Sequence, residues 1–466
     1  MIETIASGTD DCPDPPDQEW CMTDAGARPI DVDTFLDGLK FNRFHLIVLV
    51  MCTILTAIDG YELYVVGWVL PVLAKDFGVA PTAITSALVA QQVGMLLGAF
   101  VIPPLADRIG RPRVLLFCYL GMMLSALAIL TTKSLLPFTI CRFAAGFCGT
   151  AMIPILVTIA SETAPKRLRA TVSTITVSGT MIGALLGSLM QGFILEPFGW
   201  RGAFWIAVAL PAIMLPFVYF FLPESLRALV ARDPHDPAIP PLIRRMQPAS
   251  DGEVLLTVAP KPERAATAIL LGDIFGRGQL LKTFLMWGIA ISSFVFITAG
   301  VWKTTIFKEV VGLPLQQVAL INGINTAAGF VGMLTIGFFI DRLGFKRVMT
   351  GTFLLAALSA TMVGLLAPGQ GMYVAVAFMG MCQHGGQASI PALAAALYPT
   401  RSRATGVGWA YGAARVVSIW APLFGTFVLT GGFGPVGIFA MLGVPLACAG
   451  IFTFWLMSLK GAPQVV

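Results

Sequence analysis

Pro104-Leu105-Ala106-Asp107-Arg108-Ile109-Gly110-Arg111-Pro112-Arg113 is a short polar island between two long apolar runs. Its centre, Asp107-Arg108-Ile109-Gly110, returns 234 residues later as Asp341-Arg342-Leu343-Gly344. The same offset carries Pro165 with Arg167-Leu168-Arg169-Ala170-Thr171 onto Pro399 with Arg401-Ser402-Arg403-Ala404-Thr405, and Trp68 onto Trp302. One half of this 466-residue chain therefore repeats the other.

Outward from the island the chain is apolar. Hydrophobic residues make up 56% and charged residues only 12%, and the mean hydropathy is +0.82. A water-soluble globule would be coated in apolar surface, and a disordered or collagen-like chain is excluded by the same composition. Six of the eight cysteines (Cys52, Cys118, Cys141, Cys148, Cys382 and Cys448) lie in apolar runs. That is the use of Cys as a small hydrophobe, not as a disulfide framework.

A helix needs about 20 apolar residues to cross a bilayer. That ruler predicts twelve spans, near 46–70, 83–106, 113–131, 135–161, 170–195, 200–222, 280–304, 316–340, 346–367, 371–398, 403–429 and 434–459. The predicted fold class is an all-α membrane protein with twelve transmembrane helices in two pseudo-symmetric six-helix bundles. Its parts are an acid-rich N-terminal tail over 1–45, bundles over 46–222 and 280–460, a Pro-rich linker over 223–279, and a C-terminus over 461–466. No cleavable signal peptide is expected in the polar tail.

With twelve spans, both ends lie on one side. That side carries 23 of the 30 Lys and Arg, the other side four, and three fall within spans. Positive charge marks the cytoplasmic side, so both termini and the linker are predicted there. The net charge of +5 is thus a topology signal. Nucleic acid is not an expected partner, and membrane lipid is.

The island and its second copy, Gly337 through Arg347, resemble the loop 2–3 signature of the major facilitator superfamily, with Pro103 where the first copy usually opens on Gly. Pro223-Glu224-Ser225-Leu226-Arg227 after the sixth span is a further feature of that superfamily. The resemblance implies the major facilitator fold. Asp107, Arg108, Arg111, Asp341 and Arg342, with Glu162, are expected to gate by pairing when the cytoplasmic side is closed and parting when it opens. Plain topology charge is the bland alternative.

The repeat also tests which polar groups are structural. Asp59 maps onto Ser293, Glu62 onto Phe296, Arg142 onto Val376, and Arg415 back onto Met181. Loop charges are duplicated and intramembrane charges are not. A scaffold needs symmetric packing, whereas a site for an asymmetric solute does not. From the helical rise, Asp59 and Arg415 lie near mid-membrane, Glu62 one turn outward of Asp59, and Arg142 about 12 Å outward of mid-depth. Each such charge costs roughly 2.5–3.5 kcal/mol at the bilayer centre, so these groups must face a wet cavity or one another. A purely structural Glu62–Arg142 pair is one reading of two of them.

Asp59-Gly60-Tyr61-Glu62 resembles the Asp-Gly-x-Asp signature of the aromatic acid:proton symporters, with Glu62 in place of the second Asp. Arg142-Phe143-Ala144-Ala145-Gly146 with Ser161-Glu162 is similar to their helix 4. Tyr398-Pro399-Thr400-Arg401-Ser402-Arg403-Ala404-Thr405-Gly406, then Trp409, Gly412, Arg415 and Pro422, is similar to their helices 10 and 11. In helix 7 the usual Trp-Leu-Pro is Trp302-Lys303-Thr304. The antiporters' helix 5 Gly-Pro is absent, and Gly179, Gly183 and Gly187 stand there instead, which suits uptake and equally suits close helix packing.

The resemblance implies a monomeric proton-coupled symporter that imports aromatic carboxylates, hydroxybenzoate-like acids, across a bacterial inner membrane by alternating access, as a feeder of aromatic catabolism. It is not an enzyme and needs no cofactor or metal, the proton being the coupling ion. Arg415 is the expected carboxylate ligand, since a guanidinium offers a bidentate pair. Asp59 and Glu62 are the proton-coupling candidates, balanced by Arg142. His384, Tyr64, Gln387, Tyr411 and Asn325 are further substrate candidates, with interhelical packing as the alternative for each. Trp409, Trp420, Asn322, Gln91 and Gln92 are weaker ones.

Lys303 lies about 15 Å outward of Asp59 by helix rise. It is expected either to snorkel at the outer interface or to contact a second anionic group. Two rival functions stay open: a facilitator for another organic anion, such as a dicarboxylate or sugar acid, and a polytopic membrane enzyme or receptor.

Overall fold

The computed structural model describes residues 30–149, 152–247, 256–257, 272, 274–276, 278–399 and 402–459. Among these, nine helices are long and apolar enough to cross a membrane. Two of them run through a break. Gly199 (φ 63°) divides Arg169–Phe221 and Gly344 (φ 78°) divides Leu315–Leu366, so each holds two spans. Gly371–Ala388 with Ile390–Leu397 supplies one more.

The twelve are α1 (Arg43–Phe77), α2 (Thr85–Ile109), α3 (Arg111–Thr131), α4 (Leu135–Gly149 and Met152–Thr163), α5 and α6 (169–198 and 200–221), α7 (280–310), α8 and α9 (315–343 and 345–366), α10 (371–397), α11 (403–430) and α12 (Pro435–Leu456). The chain is the all-α, multi-pass membrane protein that its hydropathy predicts. The turns α2–α3 and α8–α9 share one face with the linker, here called the linker face.

Glycines mark the turns of both halves at the same offset. Gly78 (φ 65°) closes α1 and Gly312 (φ 79°) follows α7; Gly110 (φ 99°) joins α2 to α3 as Gly344 joins α8 to α9. A left-handed backbone disfavours any side chain, so Gly is the residue that ends a helix this way. Helix contacts are repeated too. Gly146 of α4 rests on the backbone of Gln91 in α2, and Gly380 of α10 rests on that of Asn325 in α8. Gly179 and Gly183 of α5 meet the backbone of Thr53 and Ala57 in α1, so these glycines serve close packing.

The tail and linker form a small cluster on the linker face. Val32, Leu36 and Leu39 bury against Leu226, Val230, Leu242, Ile243 and Met246. Ile30–Asp31 pairs in parallel with Leu256–Thr257. Asn42 caps α1, accepting from the backbone N–H of Phe44 (3.0 Å) and His45 (3.3 Å), while its amide donates to the Met246 carbonyl at 2.6 Å. His45 thus completes a helix cap. Residues 1–29 of the tail, parts of the linker, and 460–466 lie outside the described residues.

The two bundles meet mainly away from the linker face. Gln316 donates to Glu196 at 3.0 Å, Asn322 to Gln191 at 3.4 Å, and the hydroxyls of Thr85 and Thr426 lie 2.6 Å apart. α7 is irregular at this end. Its α-helix stops at Ala299, tightens over Gly300–Trp302, resumes over Lys303–Thr305 and widens over Ile306–Val310. Trp302 anchors the break, buried against Gly425 and donating to the Pro422 carbonyl at 3.1 Å.

Candidate functional site

A chamber of about 920 Å³ lies between the bundles. Its inner part is walled by Leu63 and Tyr64 of α1, Gln91 and Gln92 of α2, Phe294 and Thr298 of α7, His384 and Gln387 of α10, and Tyr411 and Arg415 of α11. Towards the linker face it reaches Ser173 and Thr174 near the start of α5 and Asp341 and Phe345 at the α8–α9 turn. It is therefore accessible from the linker face, while the opposite end is held by the hydrogen bonds between bundles.

A recess of about 60 Å³ adjoins the chamber on the far side from the linker face, and the two share Tyr64, Met181, Ile297, Val301 and His384. It is lined by Lys303, Asn322, Asn325, Thr326 and Gln383. The main predicted substrate residues border these spaces: Arg415, His384, Tyr64, Gln387 and Tyr411 the chamber, and Lys303 and Asn325 the recess.

Lys303 corrects one sequence reading. It does not snorkel outward. The break in α7 turns it into the protein, where its ammonium donates to Asn325 Oδ1 at 3.0 Å and lies 5.8 Å from the Phe296 ring centre. Asn325 in turn donates to the Val376 carbonyl at 3.2 Å. Depth counted along a regular helix could not foresee this, because the helix is not regular there.

The wall is aromatic where Tyr411 meets Phe294 edge to face, centroids 5.5 Å apart. Phe294 was missed at the sequence level, although its neighbour Ser293 is the repeat counterpart of Asp59. Gly329 makes room for the imidazole of His384. The buried Oε1 of Gln387 has no hydrogen-bond partner among the described residues, so the chamber wall offers an acceptor to a donor group. Trp409 and Trp420 stand apart from it. They are 45% and 65% exposed, and Trp409 stacks on Trp287, so both belong to the outer surface of α11.

Behind the wall, Arg142 and Glu62 form a buried pair, Nη1 to Oε1 at 2.5 Å, and a second guanidinium nitrogen reaches the Glu62 carbonyl at 3.4 Å. Arg142 thus reaches inward from its outer position on α4. Asp59 is 8% exposed and borders Gly149 of α4. It has no ion pair among the described residues and does not line the chamber.

At the linker face Arg111 pairs with Glu162, which also accepts from the Ser225 hydroxyl. Glu224 accepts from the backbone N–H of Arg111 at 3.1 Å, capping α3. Burial pushes the Glu224 carboxyl up from its ordinary value, and the N–H bonds of Ser225 and Arg111 oppose that shift. Arg111 and Glu162 are among the groups expected to gate this face. Both sit in the first bundle, and their pair is made beside an accessible chamber. Arg108 is exposed, Asp341 lines the chamber mouth, and Arg342 lies 4.0 Å over the Phe338 ring. The side chain of Asp107 lies outside the described residues.

Comparison with known proteins gives this architecture a context. The sequence profile described as Major Facilitator Superfamily matches residues 52–369 and 296–465. The gallate transporter of Pseudomonas putida is 30% identical over 428 residues, covering 91% of this chain and 94% of its own. The 4-hydroxybenzoate transporter PcaK of Acinetobacter baylyi is 29% identical, again over 91% and 94%. Among solved structures, the xylose transporter XylE from E. coli, in a partially occluded inward-open conformation, superposes with a TM-score of 0.67. That match covers 91% of this chain and 99% of XylE at 17% identity, which speaks to fold alone.

Proposed function

Because this chain belongs to the Major Facilitator Superfamily, we propose that it is a transporter that imports small aromatic carboxylates together with protons by alternating access. The observation that carries the reading is the chamber between the bundles, with an arginine and aromatic rings in its wall and its mouth towards the linker face. Relatives that match nine-tenths of the chain bear the names of gallate and 4-hydroxybenzoate transporters, and they support the choice of substrate class.

In this reading the chain sits in a bacterial inner membrane as a monomer, with the linker face cytoplasmic, in accord with its excess of Lys and Arg. The conformation described is then the inward-accessible one. Arg415 holds the carboxylate bidentately, Tyr64, Phe294 and Tyr411 flank the ring, and Gln387 and His384 receive ring hydroxyls. A buried carboxylate without an ion pair is costly, and a proton removes the cost. Asp59 is that group, whereas Glu62 is held by Arg142 and keeps the surrounding helices in place. Asp59 and Arg415 carry opposite charges inside the membrane, so neutralising Arg415 with an anion and Asp59 with a proton favour each other electrostatically.

One proton carried with one monoanion moves no net charge. In proteoliposomes an imposed pH gradient, acid outside, is expected to drive accumulation of labelled 4-hydroxybenzoate, and a potential imposed at equal pH is not. Absence of pH-driven accumulation for every aromatic acid tried, with protein demonstrably inserted, overturns the proposal.

A further inference from the structure

The recess around Lys303 points to a second acid group on the solute, an inference that rests on the aromatic-acid reading and narrows it. Three observations converge. Lys303 is turned inward by the break in α7 and donates to an amide oxygen, Asn325 Oδ1, at 3.0 Å. No acidic side chain lines the recess, and among the described residues Lys303 has no carboxylate partner. A cation held inside a membrane protein is costly unless an anion joins it. The recess, at about 60 Å³, has room for a few waters or one group of carboxyl size, not for a ring.

The recess also stands in register with Arg415. Gln92 of α2 donates to both Thr298 of α7 and Ser418 of α11, each at 3.4 Å, which sets these two at one depth. Arg415 is three residues from Ser418 towards the linker face, and Lys303 five residues from Thr298 the other way. The two cations therefore lie on opposite sides of that level. The chamber that Arg415 borders and the recess that Lys303 borders share Tyr64 and His384, so a ring seated at that wall has a cation on either side for acid groups at its opposite ends.

We propose that the solute is an aromatic dicarboxylate with its two carboxylates on opposite sides of the ring, one on Arg415 and the other on Lys303 with Asn325.

The test uses the purified full chain and three probes: benzoate, benzene-1,4-dicarboxylate and benzene-1,2-dicarboxylate, with affinities read by calorimetry. The wild type is expected to bind the 1,4-isomer at least tenfold more tightly than benzoate. The 1,2-isomer, whose carboxylates share one end, gains no such preference. Lys303→Met is expected to lower the ratio of 1,4-dicarboxylate to benzoate affinity at least tenfold, and Lys303→Arg to retain it. A wild-type ratio of one or less, or a ratio that Lys303→Met leaves intact, overturns the inference while benzoate binding upholds the aromatic-acid reading. Failure of all three probes to bind overturns both.

Discussion

Arg142 of α4 grips Glu62 of α1 at 2.5 Å, and that pair divides the labour between the two acids of the first span. Glu62, one helical turn from Asp59, is neutralised by a fixed partner. Asp59 is left as the acid whose charge can change.

Asp59→Asn is therefore expected to end concentrative uptake. Solute equilibrates across the membrane but is no longer accumulated by a pH gradient. The check is the ratio of internal to external labelled acid in proteoliposomes, which falls to about one. A variant that still concentrates solute tenfold assigns the proton elsewhere.

Glu62→Gln and Arg142→Leu each strand a buried partner. Breaking such a pair costs roughly 3–5 kcal/mol, so both single variants lose stability by a wide margin in thermal unfolding in detergent. The double variant Glu62→Leu with Arg142→Leu recovers much of it, since two apolar side chains leave no orphaned charge. If the double variant is no better than the singles, the pair has a role beyond packing.

Arg415→Lys keeps the charge and loses the planar fork. The expected result is at least a tenfold rise in KM for aromatic carboxylates, about 1.4 kcal/mol, with protein yield and thermal stability close to wild type. Equal KM values would show that the carboxylate sits elsewhere.

Gln387→Leu removes the unsatisfied acceptor of the chamber wall. Affinity for 4-hydroxybenzoate should fall relative to benzoate by about fivefold, near 1 kcal/mol for one lost hydrogen bond. Competition between the two acids for uptake reads this out directly. An unaltered preference places the ring hydroxyl against another group, His384 being the next to change.

Much of the fold was legible because its determinants are local and repeated. Twelve apolar lengths, the Asp-Arg-x-Gly islands and the 234-residue offset all sit in plain view. The offset even marks the turns, since Gly78 and Gly312 obey it as Gly110 and Gly344 do. The candidate site was legible in part, through charges that broke the repeat. What stayed hidden depends on departures from regular helix. Lys303 was counted to the outer interface by a rise that fails where α7 tightens and then widens. The bond from Ser225 to Glu162 and the packing of the tail on the linker join residues far apart in the chain, and no period announces them.

Gly146 sits over Gln91 as Gly380 sits over Asn325, so the seams of the two halves are twins down to the backbone. Position 376 then occupies the berth that Arg142 fills in the first half. Redirecting such a molecule to a different cargo calls for edits at the few mismatched sites and leaves the glycine seams alone, because specialisation here was written over a duplicated chassis without redrawing it.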